Sequence, residues 1–474
     1  MLQHNPFLPV RIVDHLAVGI DLHGGTRLDG VRPRRLVFRR GMTSPAKVLH
    51  ISLMAGSCYI RPMFFLFGIS FWHFFDRSSF RTQGEAVNRP SPGPILYKAM
   101  DLPYLLIPAL FVLIGILVAW LSARRLLLLR SKSYPTWRKI TECIVLSLLA
   151  LAAVVVAGSS GFNAIVLYHV RHSPPGQTLL VGGHEMRIDC RGSGSPTIVL
   201  DAGLGNDGLI WGGVQPVLAG TTRVCSYDRA GFGWSEALPP PRDADHIAAE
   251  LHGLLAAANV TGPVVFMGHS IAGIYIRDYA TRYPENVSGL IFVDGSTPLQ
   301  NRNPAFKAHQ DPGPPSWSGA LLKKAAFAAG IPRLLGECSR SLHGFDPQAA
   351  KLLAEDQCRD RFPAIAGEMQ NFDRSGEETV HTGPYGALPI LIFSQDPART
   401  AAQGEPMDVV KAWNQMQEDL KQLSTRSRRI IAKGSSHYIQ RDRPDLIERE
   451  VPQFIEQIRG TAPEPTDYGS TKTD

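Results

Sequence analysis

Residues 102–121 (LPYLLIPALFVLIGILVAWL) carry no charge, and this run constrains the rest of the chain more than any other. At the helical rise of about 1.5 Å per residue it covers roughly 30 Å, the thickness of a bilayer's hydrocarbon core. A second uncharged run, 143–168, has Gly and Ser in its later half and is also long enough to span. Between the two lie Arg124, Arg125, Arg130, Lys132, Arg138 and Lys139, with no acid until Glu142. The excess of positive charge on cytoplasmic loops puts this short connection in the cytoplasm and both outer ends on the other side. A cleaved signal peptide does not fit, because the first run is too long and no small-residue cleavage pattern follows it. The expectation is a transmembrane hairpin within residues 100–173, with spans at about 102–121 and 144–167. The protein is then a multi-pass cell-membrane protein whose partner is the lipid bilayer and whose following domain is extracytoplasmic.

Residues 1–99 carry the basic excess of the chain, with thirteen Lys and Arg against five Asp and Glu, so the formal +7 of the whole leaves the rest close to neutral. A basic nucleic-acid-binding surface is therefore not expected on the main domain. The segment holds a basic cluster from Arg32 to Arg40 and an aromatic run, 62–75, that is short for a span. It reads as disordered or as lying upstream of a translated start at Met100. The six cysteines (Cys58, Cys143, Cys190, Cys225, Cys338 and Cys358) show no C-x-x-C or His-rich spacing, which argues against a zinc site.

From Gln177 the chain alternates short β-rich runs with helical patterns, the signature of an α/β sheet. Eight strands are expected, at 177–181, 184–190, 197–201, 222–227, 263–268, 288–294, 389–394 and 427–432. The first two flank Gly182-Gly183 as a hairpin. Ile247, Leu251, Leu254 and Leu255 share one helical face ahead of the fifth strand. The hydrolase-sized domain occupies 174–460. Residues 461–474 (TAPEPTDYGSTKTD) have almost no apolar content and read as a disordered tail.

The apolar run Val264-Val265-Phe266-Met267 stops at Gly268-His269-Ser270-Ile271-Ala272-Gly273 and passes into a helical pattern. This reads as a nucleophile elbow, G-x-S-x-G, in which a serine sits on a strained strand-to-helix turn flanked by small residues. Ala272 stands where the pattern has glycine, and Gly273 follows it.

Three stretches in order, 200–205 (LDAGLG), 227–235 (YDRAGFGWS) and 268–294 (GHSIAGIYIRDYATRYPENVSGLIFVD), resemble the α/β-hydrolase superfamily over about residues 177–460. The resemblance implies an α/β-hydrolase fold: an eight-stranded, mostly parallel sheet preceded here by the two transmembrane helices. It also implies that residues 296–388, between the sixth and seventh strands, form a helical cap over the active site. A structureless loop of that length would be unusual. In the superfamily's strand order the second strand lies beside the fourth, which makes Cys190 and Cys225 near neighbours, while Cys338 and Cys358 share the cap. Disulfides are permitted outside the cytoplasm, and the cap pair is expected to be oxidised.

A serine hydroxyl needs a base to take its proton and a third group to orient the base. The superfamily supplies these in the order Ser, acid, His. Ser270 is the nucleophile and His437, in the loop after the last strand, is the base. Asp396, at the exit of the seventh strand, is the preferred acid; Asp294, at the exit of the sixth, is the alternative. The N–H groups of Ile271 and Leu204 are the expected oxyanion donors. Asp228, Arg229 and Trp234 are expected to pin the loop beneath the site. No metal or organic cofactor is required by this chemistry. The sequence reading is a membrane-anchored serine hydrolase, similar to carboxylesterases, lipases or aminopeptidases. It would act on a small-molecule or acyl substrate at an ester, thioester or amide bond. Acyl transfer, carbon–carbon bond hydrolysis and a catalytically silent binding or sensing module on the same fold are the competing readings.

Overall fold

The computed structural model describes residues 106–131, 133–309, 317–339, 347–356, 358–359 and 361–474. The expectations for residues 1–99 lie outside that set. Two apolar helices come first, α1 (Leu106–Ser131) and α2 (Thr136–Arg171), both long and apolar enough to cross a membrane. They run past the uncharged stretches because Arg, Leu and Lys propagate a helix well and nothing breaks it before Pro135. They pack closely where Gly115 faces α2: a Cβ there would sit 2.7 Å from both the Ala153 carbonyl oxygen and the Ala157 methyl. At the basic end Arg125 reaches across to Glu142 at 2.9 Å.

The sheet that follows contains β1 (Gln177–Val181), β2 (His184–Arg191), β3 (Thr197–Asp201), β4 (Val224–Tyr227), β5 (Val264–His269), β6 (Val287–Val293), β7 (Ile390–Gln395), β8 (Ser427–Ala432) and β9 (Thr471–Thr473). Their spatial order is β1-β2-β4-β3-β5-β6-β7-β8-β9. The β1–β2 and β2–β4 pairs are antiparallel and every later pair is parallel.

The expectation of eight strands and a disordered tail is corrected by β9. Thr471 to Thr473, β-branched at both ends, pairs in parallel with Arg429 to Ile431 on the otherwise open edge of β8. Ion pairs from Arg449 to Asp474 and from Lys472 to Asp467 hold the tail there.

Helices cover both faces, so the central strands are apolar on both sides. On one face α3 (Ala244–Ala257) and α4 (Ala272–Arg282) place Leu251, Leu254, Ile276 and Tyr279 against Val199, Phe266 and Phe292. The alternate residues of the same strands, Leu200, Val265, Met267 and Ile291, face Leu446, Val451 and Phe454. Between β6 and β7 the cap contributes α5 (Trp317–Ala328), α6 (Pro347–Asp356), α7 (Phe362–Gln370) and α8 (Phe372–Thr379). Two more helices complete the main layers, α9 (Met407–Asp419) after β7 and α10 (Pro444–Arg459) after β8.

Cys190 and Cys225 face each other directly across β2 and β4 and are joined as a disulfide. A second disulfide joins Cys338 to Cys358 in the cap.

Candidate active site

β5 ends at His269 and α4 begins at Ala272, so Ser270 occupies the turn between them with φ of 55°, a left-handed conformation that a residue with a Cβ rarely adopts. Main-chain hydrogen bonds hold it there: its N–H donates to the Val293 carbonyl at 3.2 Å, and its carbonyl accepts from Ser296 at 2.7 Å and Gly273 at 2.9 Å. Two glycines make the turn possible. A Cβ on Gly268 would lie 3.0 Å from the Ala272 carbonyl oxygen, and one on Gly273 would lie 2.9 Å from that of Ser296. Ala272 is fully buried with its methyl accommodated, so the glycine that meets the β6 exit is Gly273.

His437, in the loop after β8, directs Nδ1 at Asp294 Oδ2 over 2.6 Å. Asp294 leaves β6 in its own left-handed conformation, φ 48°, and is fully buried. Its other oxygen accepts from the Trp413 indole N–H at 2.9 Å and from the Gln395 N–H at 3.0 Å. The carboxylate is therefore oriented by three donors from three separate segments.

The expected pairing of His437 with Asp396 does not form. Asp396 caps the short helix Pro397–Ala402 by accepting from the Ala398 N–H at 2.9 Å, and its second oxygen accepts from the Gly434 N–H at 2.8 Å. Both oxygens are taken by main chain, so this carboxylate braces the base of the His437 loop.

No hydrogen bond joins Ser270 to His437 among the described residues. Such contacts tighten when substrate fills the space between nucleophile and base. The link present instead runs through His269, whose Nε2 meets the His437 carbonyl oxygen at 3.0 Å with the two rings 4.7 Å apart. That oxygen only accepts, so Nε2 carries the proton and Nδ1 is bare. Burial, reinforced by neighbouring His437, pushes the His269 pKa well below its ordinary value and keeps it neutral. The elbow pattern by itself gives this side chain no role. Its place beside the elbow serine is the signal that it lies against the loop of His437.

The loop after β3 closes the other side. A Cβ on Gly203 would stand 2.6 Å from His269 Nδ1 and 3.2 Å from the Ser270 Cβ, so the loop lies directly on the elbow. The N–H groups of Leu204 and Ile271 donate to no partner among the described residues, as donors kept for an incoming oxyanion would.

Arg229 anchors this loop from below. It donates to Asp201 at 2.7 Å, to the Ala202 and Gly203 carbonyls at 2.5 and 3.1 Å, and through Nε and a terminal nitrogen to Glu368 of α7 at 2.7 and 3.0 Å. Burial opposes its charge, but Glu368 and Asp201 outweigh it and hold its pKa well above the ordinary range. Asp228 ties in the neighbouring strand, accepting from Arg187 at 3.1 Å and from the Gly208 and Trp234 N–H groups at 2.8 and 3.0 Å. This is the pinning role expected for the Asp228–Trp234 segment, and it extends to the cap.

A cavity of about 590 Å³ lies away from these residues, lined by Arg277, Thr297, Thr382 and Met416 among others. No cluster of three or more His, Cys, Asp or Glu suited to a metal ion occurs among the described residues.

Residues 198–450 match the family described as "Alpha/beta hydrolase family". An AB hydrolase superfamily protein of Gibberella zeae is 24% identical over 298 residues, covering 56% of this chain and 87% of the relative. A Schizosaccharomyces pombe protein is 39% identical over 84 residues, but that stretch is 18% of this chain and 16% of the relative. Among solved structures, a thermophilic esterase from Thermogutta terrifontis aligns with a TM-score of 0.42 at 17% identity, covering 60% of this chain and 98% of the esterase.

Proposed function

Because the chain belongs to the alpha/beta hydrolase family, we propose that it is a membrane-anchored serine hydrolase that cleaves an ester, thioester or amide through an acyl-enzyme. Ser270 Oγ attacks the carbonyl carbon while His437 Nε2 takes its proton. The tetrahedral oxyanion is held by the N–H groups of Leu204 and Ile271. His437 returns the proton to the leaving group as the bond to it breaks, leaving the acyl group on Ser270. Water then attacks by the same route in reverse roles, releasing the acid and the free serine. Asp294, not Asp396, keeps Nδ1 protonated and Nε2 bare. The observation that carries this reading is the Asp294–His437 contact at 2.6 Å, with Asp294 oriented in turn by Trp413 and Gln395.

The domain is proposed to act outside the cytoplasm. Two disulfides support that placement, as does the basic connection between α1 and α2, which favours the cytoplasmic side for the opposite end of the hairpin. A fluorophosphonate probe that does not cross membranes tests both parts at once in intact cells. Labelling of the wild type, lost in Ser270→Ala, is expected. Labelling only after lysis would place the domain in the cytoplasm. A folded wild type that never labels would favour a binding module on the same fold.

A further inference from the structure

The cap is built onto the apolar hairpin as well as onto the sheet. α2 carries three buried polar residues in an otherwise apolar stretch, and each is satisfied by the cap. Asn163 donates to the Phe327 carbonyl at 3.0 Å, Ser160 to that of Ala328 at 2.6 Å, and Ser159 to that of Gly330 at 3.1 Å. Phe327 and Ala328 are the last residues of α5 and Gly330 lies two residues beyond its end; the Phe327 carbonyl also accepts from the Gly330 N–H at 3.0 Å. Gly330 turns with φ of 72°, and a Cβ there would meet Ser159 Oγ at 2.4 Å, so only glycine allows this approach. Arg333 closes the joint, donating to Asn163 at 3.0 Å and to Glu355 of α6 at 2.6 Å.

The height of this joint can be read along the hairpin. At one end Arg125 pairs with Glu142; at the other Ser160 meets the Pro108 carbonyl. The stretch between those levels is about 26 Å at the helical rise, close to the thickness of a hydrocarbon core. The cap is therefore joined to the hairpin in the outer part of its apolar belt, one to two turns short of Tyr168, where the uncharged run ends. Flanking the joint, the cap exposes Leu321, Leu322, Ile331, Leu334 and Leu335, of which Leu321 and Leu335 are 69 and 72% exposed. Neighbouring large apolar residues left open beside such a belt are what a bilayer surface covers. From this helix the cap leads inward: Lys323 lies over the Phe362 ring at 4.9 Å, and Ile365, one turn on in α7, would touch a methyl on Gly205 at 3.5 Å. α5 thus stands between the hairpin and the helix roofing the loop of Leu204.

We propose that this leucine face of the cap is seated in the outer surface of the bilayer, and that the substrate is an acyl lipid or acylated amphiphile taken from that surface. The substrate half rests on the hydrolase reading above; the seating does not.

The test uses the full chain reconstituted in phosphatidylcholine vesicles. With Cys58→Ser and Cys143→Ser as background, Leu335→Cys is labelled with a bimane fluorophore, and Glu464→Cys serves as a solvent-facing reference. The label at 335 is expected to be quenched by nitroxide lipids and shielded from aqueous iodide, with the reverse at 464. Iodide quenching at 335 equal to that at 464 overturns the seating. In the second arm, Leu321→Asp/Leu334→Asp/Leu335→Asp is expected to leave turnover of soluble p-nitrophenyl butyrate within about threefold of wild type. Turnover of a vesicle-borne fluorogenic acyl lipid is expected to fall by about tenfold or more. An equal fall on both substrates, or no fall on the lipid, overturns the substrate half. A wild type that hydrolyses neither ends the hydrolase reading and the substrate half with it, while the quenching result still decides the seating.

Discussion

The floor of the site and its roof are held by different forces. The floor consists of strand exits: Ser270 after β5, Asp294 after β6 and the loop of His437 after β8, each bound by main-chain hydrogen bonds over a close-packed sheet. The roof, α6 and α7, adds a few buried charges to the apolar contacts that Leu353 and Ile365 make with the floor. Glu368 meets Arg229, and Asp356, itself paired with Arg361 at 2.9 Å, sits beside Asp207. The difference teaches which perturbations each can absorb. A floor of this kind fails when one direction of a hydrogen bond is wrong, with little loss of stability. A roof held by desolvated charges fails when one partner is removed, because the other is left buried and alone.

The sharpest way to break that distinction is at the two carboxylates. Asp294→Asn should keep the fold and lower kcat by about 10⁴, since an amide can hold the imidazole in the wrong tautomer. Asp396→Asn keeps an acceptor for Ala398 or Gly434 and should cost about tenfold or less, mainly through the stiffness of the His437 loop. Steady-state turnover of an ester that the wild type cleaves separates them, and equal losses would return Asp396 to the catalytic role.

On the roof, Glu368→Ala removes two of the acceptors of the Arg229 guanidinium and leaves Asp201 as its charge partner, which should destabilise the domain by about 1–3 kcal/mol, read from chemical denaturation. Glu368→Gln, which keeps one acceptor, should cost less. If both variants unfold with the wild type, the roof does not depend on this pair.

The smallest effect is a pH dependence at Asp207. Burial, with Asp356 and Asp228 nearby, raises its pKa well above the carboxylate range, so the folded state holds a proton that the unfolded chain releases near pH 4. Its contribution to stability is complete below about pH 4 and is lost as pH rises through the elevated folded value. Asp356 has the opposite sign. Burial opposes its charge, but Arg361 and Arg359 prevail and lower its pKa, so its contribution is lost as pH falls. Asp207→Asn keeps the acceptor for the Leu209 N–H and cannot ionise. Its melting temperature should gain on that of the wild type as pH rises, and parallel profiles would refute the assignment.

Much of this was legible in the residues. The elbow and the strands on either side of it follow from local patterns, because small residues at a strand-to-helix turn are written in adjacent letters, while the strand order and the part given to the His437 loop follow from the resemblance to the α/β-hydrolase superfamily. The choice of acid was not. Asp294 and Asp396 each leave a parallel strand and each is an aspartate; Pro397 marks Asp396 as a helix cap but does not by itself remove it from the site. What separates them is Trp413, on a helix far along the chain, which reaches one and not the other. β9 was hidden for a related reason: three residues of a polar tail become a strand only because β8 offers an unpaired edge. Ser159, Ser160 and Asn163 read as small and polar breaks in a span, and their purpose appears only when the ends of α5 arrive beside them.

The end of α2 has one more consequence. The Trp234 indole donates to the Val170 carbonyl at 2.8 Å, and only residues 172–176 separate this helix from β1. Fully extended, that leash could pay out about 20 Å at most. With α2 held in a bilayer, such a catalyst does not sample the volume around it. On the anchored reading proposed above it would patrol a plane, with its encounter rate set by how fast lateral diffusion brings other molecules past in two dimensions.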